Sequence, residues 1–375
     1  MKDRINKPED GSARLKAVPK SPLGMHSPSR YPHTMVRFTV LASGSKGNCT
    51  VITGGRTRIL VDCGLSCREI FRRMSLAGED PTSLDAILIT HEHSDHINGV
   101  AVTARKLGIP VYFTEGTHRT WTRWISPRRQ MTYTQWLEQC RLQAAATQAE
   151  VDSAPTESDS DEGNLGEDNS PQPDSPQMAR LAAETALEAD GTQSGSAEQS
   201  PAKPRDPAWL PSVEFFQAGQ PFEIGDIGVS PFTIPHDAAD PVGFVFNAEG
   251  VRMGVATDLG YIPPNVKAQL KRLDLLLLES NHDLEMLKDG PYPWAVKQRV
   301  LSRVGHLSND AASSFLEKEY DGQAAYIILA HLSESNNLPD LAKVAAERAL
   351  VSRPSLLANR LLLASQHDPL SSISF

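Results

Sequence analysis

Apolar and polar positions along this chain form short runs that predict strands separated by helices. In the first half, the runs predict strands at 37–41, 50–53, 59–61, 85–90 and 111–113, with helices at 67–77, 97–107 and from about 117. In the second half, they predict strands at 228–234, 243–247, 252–257, 273–279 and 325–329, with helices at 294–303, 308–318 and 338–350. Because strands and helices alternate in both halves, we expect an α/β (α+β) protein in which two sheets are sandwiched between helices.

Two stretches lack this alternation and divide the chain. Residues 1–34 and 144–206 are too polar to offset the entropy of ordering them, so we expect a disordered N-terminal extension and a disordered acidic linker. Met35, where regular patterning begins, is an alternative start site. The expected folded domain therefore comprises 35–143 and 207–375.

Charge is distributed unevenly, so the net value of −9 is a poor guide to partners. Residues 150–190 carry −11 and residues 1–34 carry +4, which leaves −2 for the rest. A nearly neutral body neither favours nor excludes nucleic acid.

Neither a membrane span nor a secretory signal is visible. No run approaches the roughly 20 apolar residues that a span needs, and the basic N-terminus has no apolar core. Cys49, Cys63, Cys67 and Cys140 follow neither a disulfide-framework nor a zinc-finger spacing, so we interpret them as small buried residues. These features predict a cytoplasmic protein with no membrane partner.

The segment most informative about chemistry is THEHSDH, at 90–96. Three histidines (His91, His93 and His96) and two carboxylates (Glu92 and Asp95) fall within six residues, directly after an apolar strand. Imidazole and carboxylate groups are ligands for zinc, manganese and iron, and a catalytic metal needs about three protein ligands plus an open position. The pattern therefore predicts a catalytic metal site.

The segment resembles the HxHxDH signature of the metallo-β-lactamase superfamily, and later motifs follow in that family's order between about residues 36 and 338. The resemblance implies a four-layer αβ/βα sandwich that binds two divalent metal ions. It assigns His91, His93 and His236 to one ion; Asp95, His96 and His331 to the other; Asp258 to both; and Asp62 to the orientation of the ligands.

Several motifs narrow the resemblance to one branch of the family. LASGSKGN, TDLG, LLLESNHD, GPYP, GHLSN and HLSESNN together resemble the YycJ/WalJ-type proteins, which are regarded as DNA exonucleases that use zinc or manganese. The resemblance implies hydrolysis of a nucleic-acid phosphodiester, most plausibly in DNA, by a metal-bound hydroxide, with Asp95 and His306 as the catalytic residues and without a nucleotide cofactor.

Other residues are weaker candidates for contact with substrate. Ser45 and Lys46 lie in a turn that could bind phosphate or could be a plain hairpin turn, and Asn281 and His282 follow a buried strand. The segment 118–129 mixes bases with tryptophans, as a nucleic-acid platform does, although an amphipathic helix with buried tryptophans is the preferred interpretation.

Two other functions remain open at this stage. One is hydrolysis of a small molecule, either a cyclic phosphodiester or a glyoxalase-type thioester. The other is a non-catalytic, metal-dependent regulator or scaffold that recruits partners through the acidic linker. Sequence alone does not fix the metal, the polarity of an exonuclease or the oligomeric state.

Overall fold

The computed structural model describes residues 35–126, 206–352 and 359–375. The expected disorder of residues 1–34 and 144–205, and the expected burial of Cys140, lie outside the described residues. Cys49, Cys63 and Cys67 are all buried, which confirms their interpretation.

The first sheet has seven strands, in the order β14-β1-β2-β3-β4-β5-β6. Their bounds are β1 Arg37–Ala42, β2 Cys49–Thr53, β3 Arg58–Val61, β4 Ala86–Leu88, β5 Pro110–Phe113, β6 Ser212–Phe215 and β14 Ile373–Ser374. β14, β1, β2 and β3 pair antiparallel, whereas β3 to β6 run parallel.

The second sheet repeats this arrangement, in the order β13-β12-β11-β10-β9-β8-β7. Its strands are β7 Phe222–Ile224, β8 Ile227–Thr233, β9 Val242–Ala248, β10 Val251–Ala256, β11 Leu275–Glu279, β12 Tyr326–Ala330 and β13 Arg360–Leu363. β7 to β10 pair antiparallel and β10 to β13 run parallel.

Nine α-helices occur in the described residues. They are α1 Cys67–Leu76, α2 Ser94–Ile97, α3 Val100–Leu107, α4 Glu115–Ile125, α5 Pro264–Gln269, α6 Leu284–Asp289, α7 Trp294–Val300, α8 Asn309–Lys318 and α9 Pro339–Val351. None is long and apolar enough to cross a bilayer.

Three buried apolar clusters define four layers. One lies between the sheets, with Phe38 and Ile52 from the first and Phe244 and Met253 from the second. Another joins the outer face of the first sheet to α1, α3 and α4, and the third joins the outer face of the second sheet to α5, α8 and α9. This is the predicted αβ/βα sandwich.

The structure also departs from the predicted elements. Strands β6, β7, β13 and β14 were not predicted, because each has only two to four residues and lies at a sheet edge. The six-residue helices α5 and α6 were not predicted either. The helix predicted at 97–107 is confirmed as α3 but begins three residues later, at Val100, because the chain turns around Gly99, where an added Cβ would lie 2.0 Å from the carbonyl oxygen of Leu65. The helix predicted at 294–303 ends earlier, at Val300.

Polar residues occur at the carboxyl ends of the buried apolar strands in the parallel part of each sheet. This is so for β3, β4, β10, β11 and β12. In open sheets, ligands bind at the carboxyl ends of parallel strands. Most of the histidines and carboxylates singled out in the sequence fall at these ends.

The turn after β3 is closely packed at Gly64. An added Cβ at Gly64 would lie 1.7 Å from the carbonyl oxygen of Asp95, whereas at Gly108, which ends α3 with φ +69°, it would meet nothing within 4 Å. We expect Gly64→Ala to lower the free energy of unfolding by about 3 kcal/mol, through overpacking. Gly108→Ala should cost about 1 kcal/mol, through its left-handed backbone alone. Urea unfolding measures both, and equal losses would contradict this account.

Candidate metal centre

The THEHSDH segment leaves β4 and turns at once into a short helix. His93 adopts extended backbone angles as the N-cap of α2, which places Asp95 and His96 in that helix. Glu92, in contrast, turns away, and its carboxylate accepts a hydrogen bond from the backbone N–H of Ala239 at 2.7 Å. The structure thus separates the metal-type residues of the motif from a carboxylate that ties two loops together.

Three imidazoles form the first cluster. His93 Nδ1 lies 3.1 Å from His91 Nε2 and 3.1 Å from His236 Nε2. The other ring nitrogen of His236 lies 3.2 Å from the carbonyl oxygens of Val304 and Gly305, so Nδ1–H donates there and Nε2 faces the cluster.

Burial and mutual repulsion keep these rings neutral. Burial lowers the pKa of His93 to about 4, with help from the charge of His236. Burial also lowers the pKa of His91 and of His236. Neutral rings present lone pairs, as metal ligands must.

The second cluster pairs imidazoles with a carboxylate. Asp95 Oδ2 lies 3.4 Å from His331 Nε2 and 3.5 Å from His96 Nε2. On its other side, the His96 ring places Nδ1 2.8 Å from Asp62 Oδ2, and Asp62 also accepts from the backbone N–H of Thr90. Asp62 therefore contacts the side of the His96 ring that faces away from Asp95.

Asp258 lies between the two clusters. Its Oδ2 is 3.3 Å from His96 Nε2, and its Oδ1 is 3.3 Å from His331 Nδ1. Burial raises the pKa of this carboxyl, but the charges of His331 and His96 outweigh that effect and hold it well below its ordinary value. Asp258 Oδ2 is buried and makes no hydrogen bond.

These donor sets fit divalent metal ions. These residues, together with Glu279 and His306, form four groups of three or four side chains. In each group, one ligand atom from every side chain lies within 4.8 Å of the ligand atoms of the other side chains. Two of the groups are His91-His93-His236 and Asp95-His96-His331. Ligand atoms about 2.0–2.1 Å from a tetrahedral ion are roughly 3.3 Å apart, close to the spacing of the first cluster. The unsatisfied oxygen of Asp258 is a further position that a cation would satisfy.

Three of these residues have strained backbones. Asp62, Asp258 and His331 have φ values of +58°, +60° and +56°, in the left-handed region that residues other than glycine rarely adopt. Each follows a strand of the parallel part of a sheet within two residues. The sharp turn aims each side chain at the carboxyl end of its sheet, and such strain concentrates at functional sites.

Glu279, the last residue of β11, was missed by the sequence analysis. Its side chain is fully buried, and its Oε1 lies 2.8 Å from His306 Nδ1 and 3.0 Å from His331 Nδ1. Its Oε2 accepts from the backbone N–H groups of Leu259 and Leu307. A signal was available, since Glu279 is the one charged residue in an otherwise apolar strand.

His306 borders both clusters. Its ring centroid is 5.2 Å from those of His236 and His331, and its side chain is 21% exposed. Burial lowers its pKa, but Glu279 outweighs burial and raises it. His306 is therefore a partly accessible imidazole beside the clusters, and its contact with Glu279 favours the protonated ring.

The turn between β1 and β2 contacts candidate ligands that follow strands of both sheets. Ser43 Oγ accepts from the backbone N–H of His331 at 2.8 Å, and Asn48 Nδ2 lies 3.0 Å from His96 Nε2. Ser45 and Lys46 are exposed in the same turn, and Lys46 forms an ion pair with Glu334. The turn therefore anchors ligands, and its two candidate phosphate contacts face solvent.

Asn281 and His282 are placed differently from the other candidates. Asn281 is 5% exposed and its side-chain amide donates to the carbonyl oxygen of His331, whereas His282 is fully buried with neither ring nitrogen hydrogen-bonded. Burial leaves their side chains little surface for contact with a substrate.

Helix α4 supports the amphipathic interpretation of the 118–129 segment. Trp121 is buried and stacks on Phe113, and Arg119 is exposed, as that interpretation requires. Trp124 departs from it, because its side chain is 36% exposed. Arg128 and Arg129 lie outside the described residues.

Comparison with known proteins agrees with this geometry. Residues 42–296, more than half of the chain, match the family model described as "Metallo-beta-lactamase superfamily". The solved structure of the metallo-β-lactamase fold protein YhfI from Bacillus subtilis superposes with a TM-score of 0.52 at 13% identity, covering 90% of this chain and 99% of that one. This likeness concerns the fold.

Two curated relatives cover most of the chain. Exodeoxyribonuclease YycJ from Bacillus anthracis is 29% identical over 315 residues, which are 84% of this chain and 89% of that protein. Exodeoxyribonuclease WalJ from Streptococcus pneumoniae is 30% identical over 306 residues, which are 82% of this chain and 85% of that protein. The chain therefore belongs to the metallo-β-lactamase superfamily and, within it, to the YycJ/WalJ-type branch.

Proposed function

We propose that this protein is a metal-dependent nuclease that hydrolyses phosphodiester bonds in DNA from a strand end. The observation that carries the proposal is the position of His306, a partly exposed imidazole that is hydrogen-bonded to Glu279 and borders both candidate metal clusters. A phosphodiester brings a negative charge to such a position, whereas a thioester brings none. The names of the YycJ and WalJ relatives support DNA as the substrate and an exonuclease mode of action.

Because three buried cysteines suit a reducing compartment, the proposal includes a cytoplasmic location.

We assign seven residues to two divalent ions, zinc or manganese. His91, His93 and His236 would hold one, Asp95, His96 and His331 would hold the other, and Asp258 lies where it could serve both. When bound, such a pair acidifies a water and braces the phosphoryl oxygens during in-line displacement. Contacts around the second cluster fit this assignment. Asp62 contacts Nδ1 of His96 and Glu279 contacts Nδ1 of His331, and in both rings Nε2 faces Asp95.

His306 and Asp95 are the residues that act on substrate in this proposal. Glu279 accepts a hydrogen bond from His306 Nδ1, which keeps the ring protonated and leaves Nε2–H for the phosphate. From there, Nε2 donates its proton to the leaving oxygen as the phosphorus–oxygen bond breaks. Asp95, whose side chain is 20% exposed, accepts a hydrogen bond from the attacking water.

A substrate panel tests the function. We expect purified protein with manganese or zinc to shorten end-labelled single-stranded or duplex DNA progressively from one end. Asp258→Asn should slow this at least 100-fold, because it removes a charge shared by both clusters. Lys343→Ala, an exposed change on α9, is the matched control and should leave the rate unchanged. RNA, a chromogenic phosphodiester and a glutathione thioester complete the panel. Activity confined to the thioester would overturn the proposal.

Metal analysis tests the two-ion assignment. We expect two ions per chain by elemental mass spectrometry, and about one ion per chain in His331→Ala, which loses a ligand of the second cluster only. Chelation should abolish hydrolysis, and returning the metal should raise the melting temperature by several degrees, because the ions bind the folded state. Full activity in a demonstrably metal-free sample would contradict the assignment.

Substitution of Glu279 tests whether it positions His306. Glu279→Gln should reduce kcat about 10–100-fold while two ions remain bound, because it disturbs ring orientation and removes no assigned ligand. Glu285→Gln makes the same chemical change at an exposed site on α6 and should have no effect. Loss of an ion from Glu279→Gln would instead show that Glu279 is itself a ligand.

A further inference from the structure

A second feature beside the metal centre is the segment from Gly290 to Gly305, which we call the basic wall. Its backbone is fixed to the turns that carry two proposed ligands. The carbonyl oxygen of Val304 accepts from the backbone N–H of Asp237 at 3.0 Å, and an added Cβ at Gly260 would lie 2.4 Å from the backbone of Arg303. The wall therefore packs between the His236 and Asp258 turns and leads directly into His306.

The basic wall exposes apolar side chains, although its backbone packs against the His236 and Asp258 turns. Helix α7, at its centre, has no buried residue. Trp294 is 68% exposed, Leu301 51% and Val304 43%. Clustered exposed apolar groups on a folded surface mark an interaction site.

The charge of the wall indicates what kind of partner it contacts. Between residues 290 and 305 there are three bases, Lys297, Arg299 and Arg303, and no acid. The Arg303 guanidinium lies over the ring of Tyr261, 4.4 Å from its centroid, which holds the cation in place. Bases combined with exposed aromatic surface are the features with which proteins bind single-stranded nucleic acid.

Arg299 is the base oriented towards the metal centre. Its guanidinium forms an ion pair and hydrogen bond with Asp237, the residue after His236. Arg299 remains 61% exposed while held there, so its other N–H groups are accessible to a ligand. Arginine held in a fixed orientation suits two-point recognition of a phosphate.

We infer that the basic wall binds the backbone of single-stranded DNA as it enters the metal centre, with Arg299 contacting the phosphate next to the one being cleaved. Trp294 provides a face on which a base stacks. This inference rests on the proposed function and deepens it, because it names the strand-binding surface. A second copy of this chain is the rival occupant of the same apolar residues.

Binding measurements on the full chain test the wall. In an Asp258→Asn background that suppresses hydrolysis, fluorescence anisotropy would follow a labelled 20-nucleotide oligothymidine at several salt concentrations. Lys297→Ala, Arg299→Ala and Arg303→Ala combined should weaken binding 10–100-fold. The same triple variant should make the dependence of log affinity on log salt concentration shallower, because the magnitude of the slope falls by roughly 0.7 for each lost phosphate contact, or about 2 in all. Trp294→Ala alone should weaken binding at least fivefold.

The matched control removes the same charge elsewhere. Lys318, Lys343 and Arg348 are exposed bases on α8 and α9, and changing all three to alanine should alter affinity less than twofold. Hydrolysis in the otherwise native chain gives a second readout, in which Arg299→Ala raises KM for single-stranded DNA and leaves metal content unchanged.

Three outcomes would overturn the inference. Unchanged affinity and KM in the wall variants, with wild-type DNA hydrolysis intact, would overturn it alone. Loss of self-association by the wall variants in sedimentation, with DNA affinity unchanged, would assign the surface to a second copy. Failure of the wild-type chain to hydrolyse any DNA would overturn the proposed function and this inference together.

Discussion

Asp258 holds a negative charge out of water between imidazoles that come from both sheets. His96 follows a strand of the first sheet and His331 a strand of the second, and each lies 3.3 Å from an oxygen of this carboxylate. A buried carboxylate without compensation costs several kcal/mol, so the arrangement is stable only when cations surround it. In the protein alone, protonated histidines supply that charge, and in the proposed function divalent ions replace the protons. The charge balance at this point links the folding of the two sheets to the chemistry.

The strained turns follow from the same requirement. A side chain that leaves a strand in ordinary extended geometry points to one face of the sheet. Asp62, Asp258 and His331 must instead reach beyond the strand end, and their left-handed backbones achieve this. Each such residue costs about 1–3 kcal/mol, which the buried strands on either side offset. Glycine would adopt these angles more easily, but it has no side chain to contribute.

Much of the fold and of the candidate site could be predicted from the sequence. Buried parallel strands such as β11 and β12 are continuous apolar runs, and helices such as α8 have capping residues, so both were predicted closely. The HxHxDH motif is dense enough to indicate a metal site, and the order of later motifs brought His236 and His331 to it. Very short strands were missed because two to four residues at a sheet edge carry little periodicity.

The residues that sequence analysis missed share a physical property. Glu279 and Asn48 act on other side chains, and their roles depend on contacts across 52 and 48 positions of the chain. No local pattern encodes such contacts. His282 and Asn281 illustrate the converse, since a polar pair after a strand resembles a binding site in sequence and is enclosed in the structure. A motif therefore indicates which chemistry is present, whereas burial decides which side chains can reach a substrate.

The topology also bears on the acidic segment between the two described parts of the domain. That segment follows α4 and precedes β6, and β5 and β6 are parallel. A helix that connects parallel strands runs back from the carboxyl end of one to the start of the next. The metal ligands lie at the carboxyl ends of the strands, whereas the chain enters β6 at Ser212, at the other end of that strand. The described part of the fold therefore leads the chain into β6 from the end of the sheet that lies away from the metal ligands.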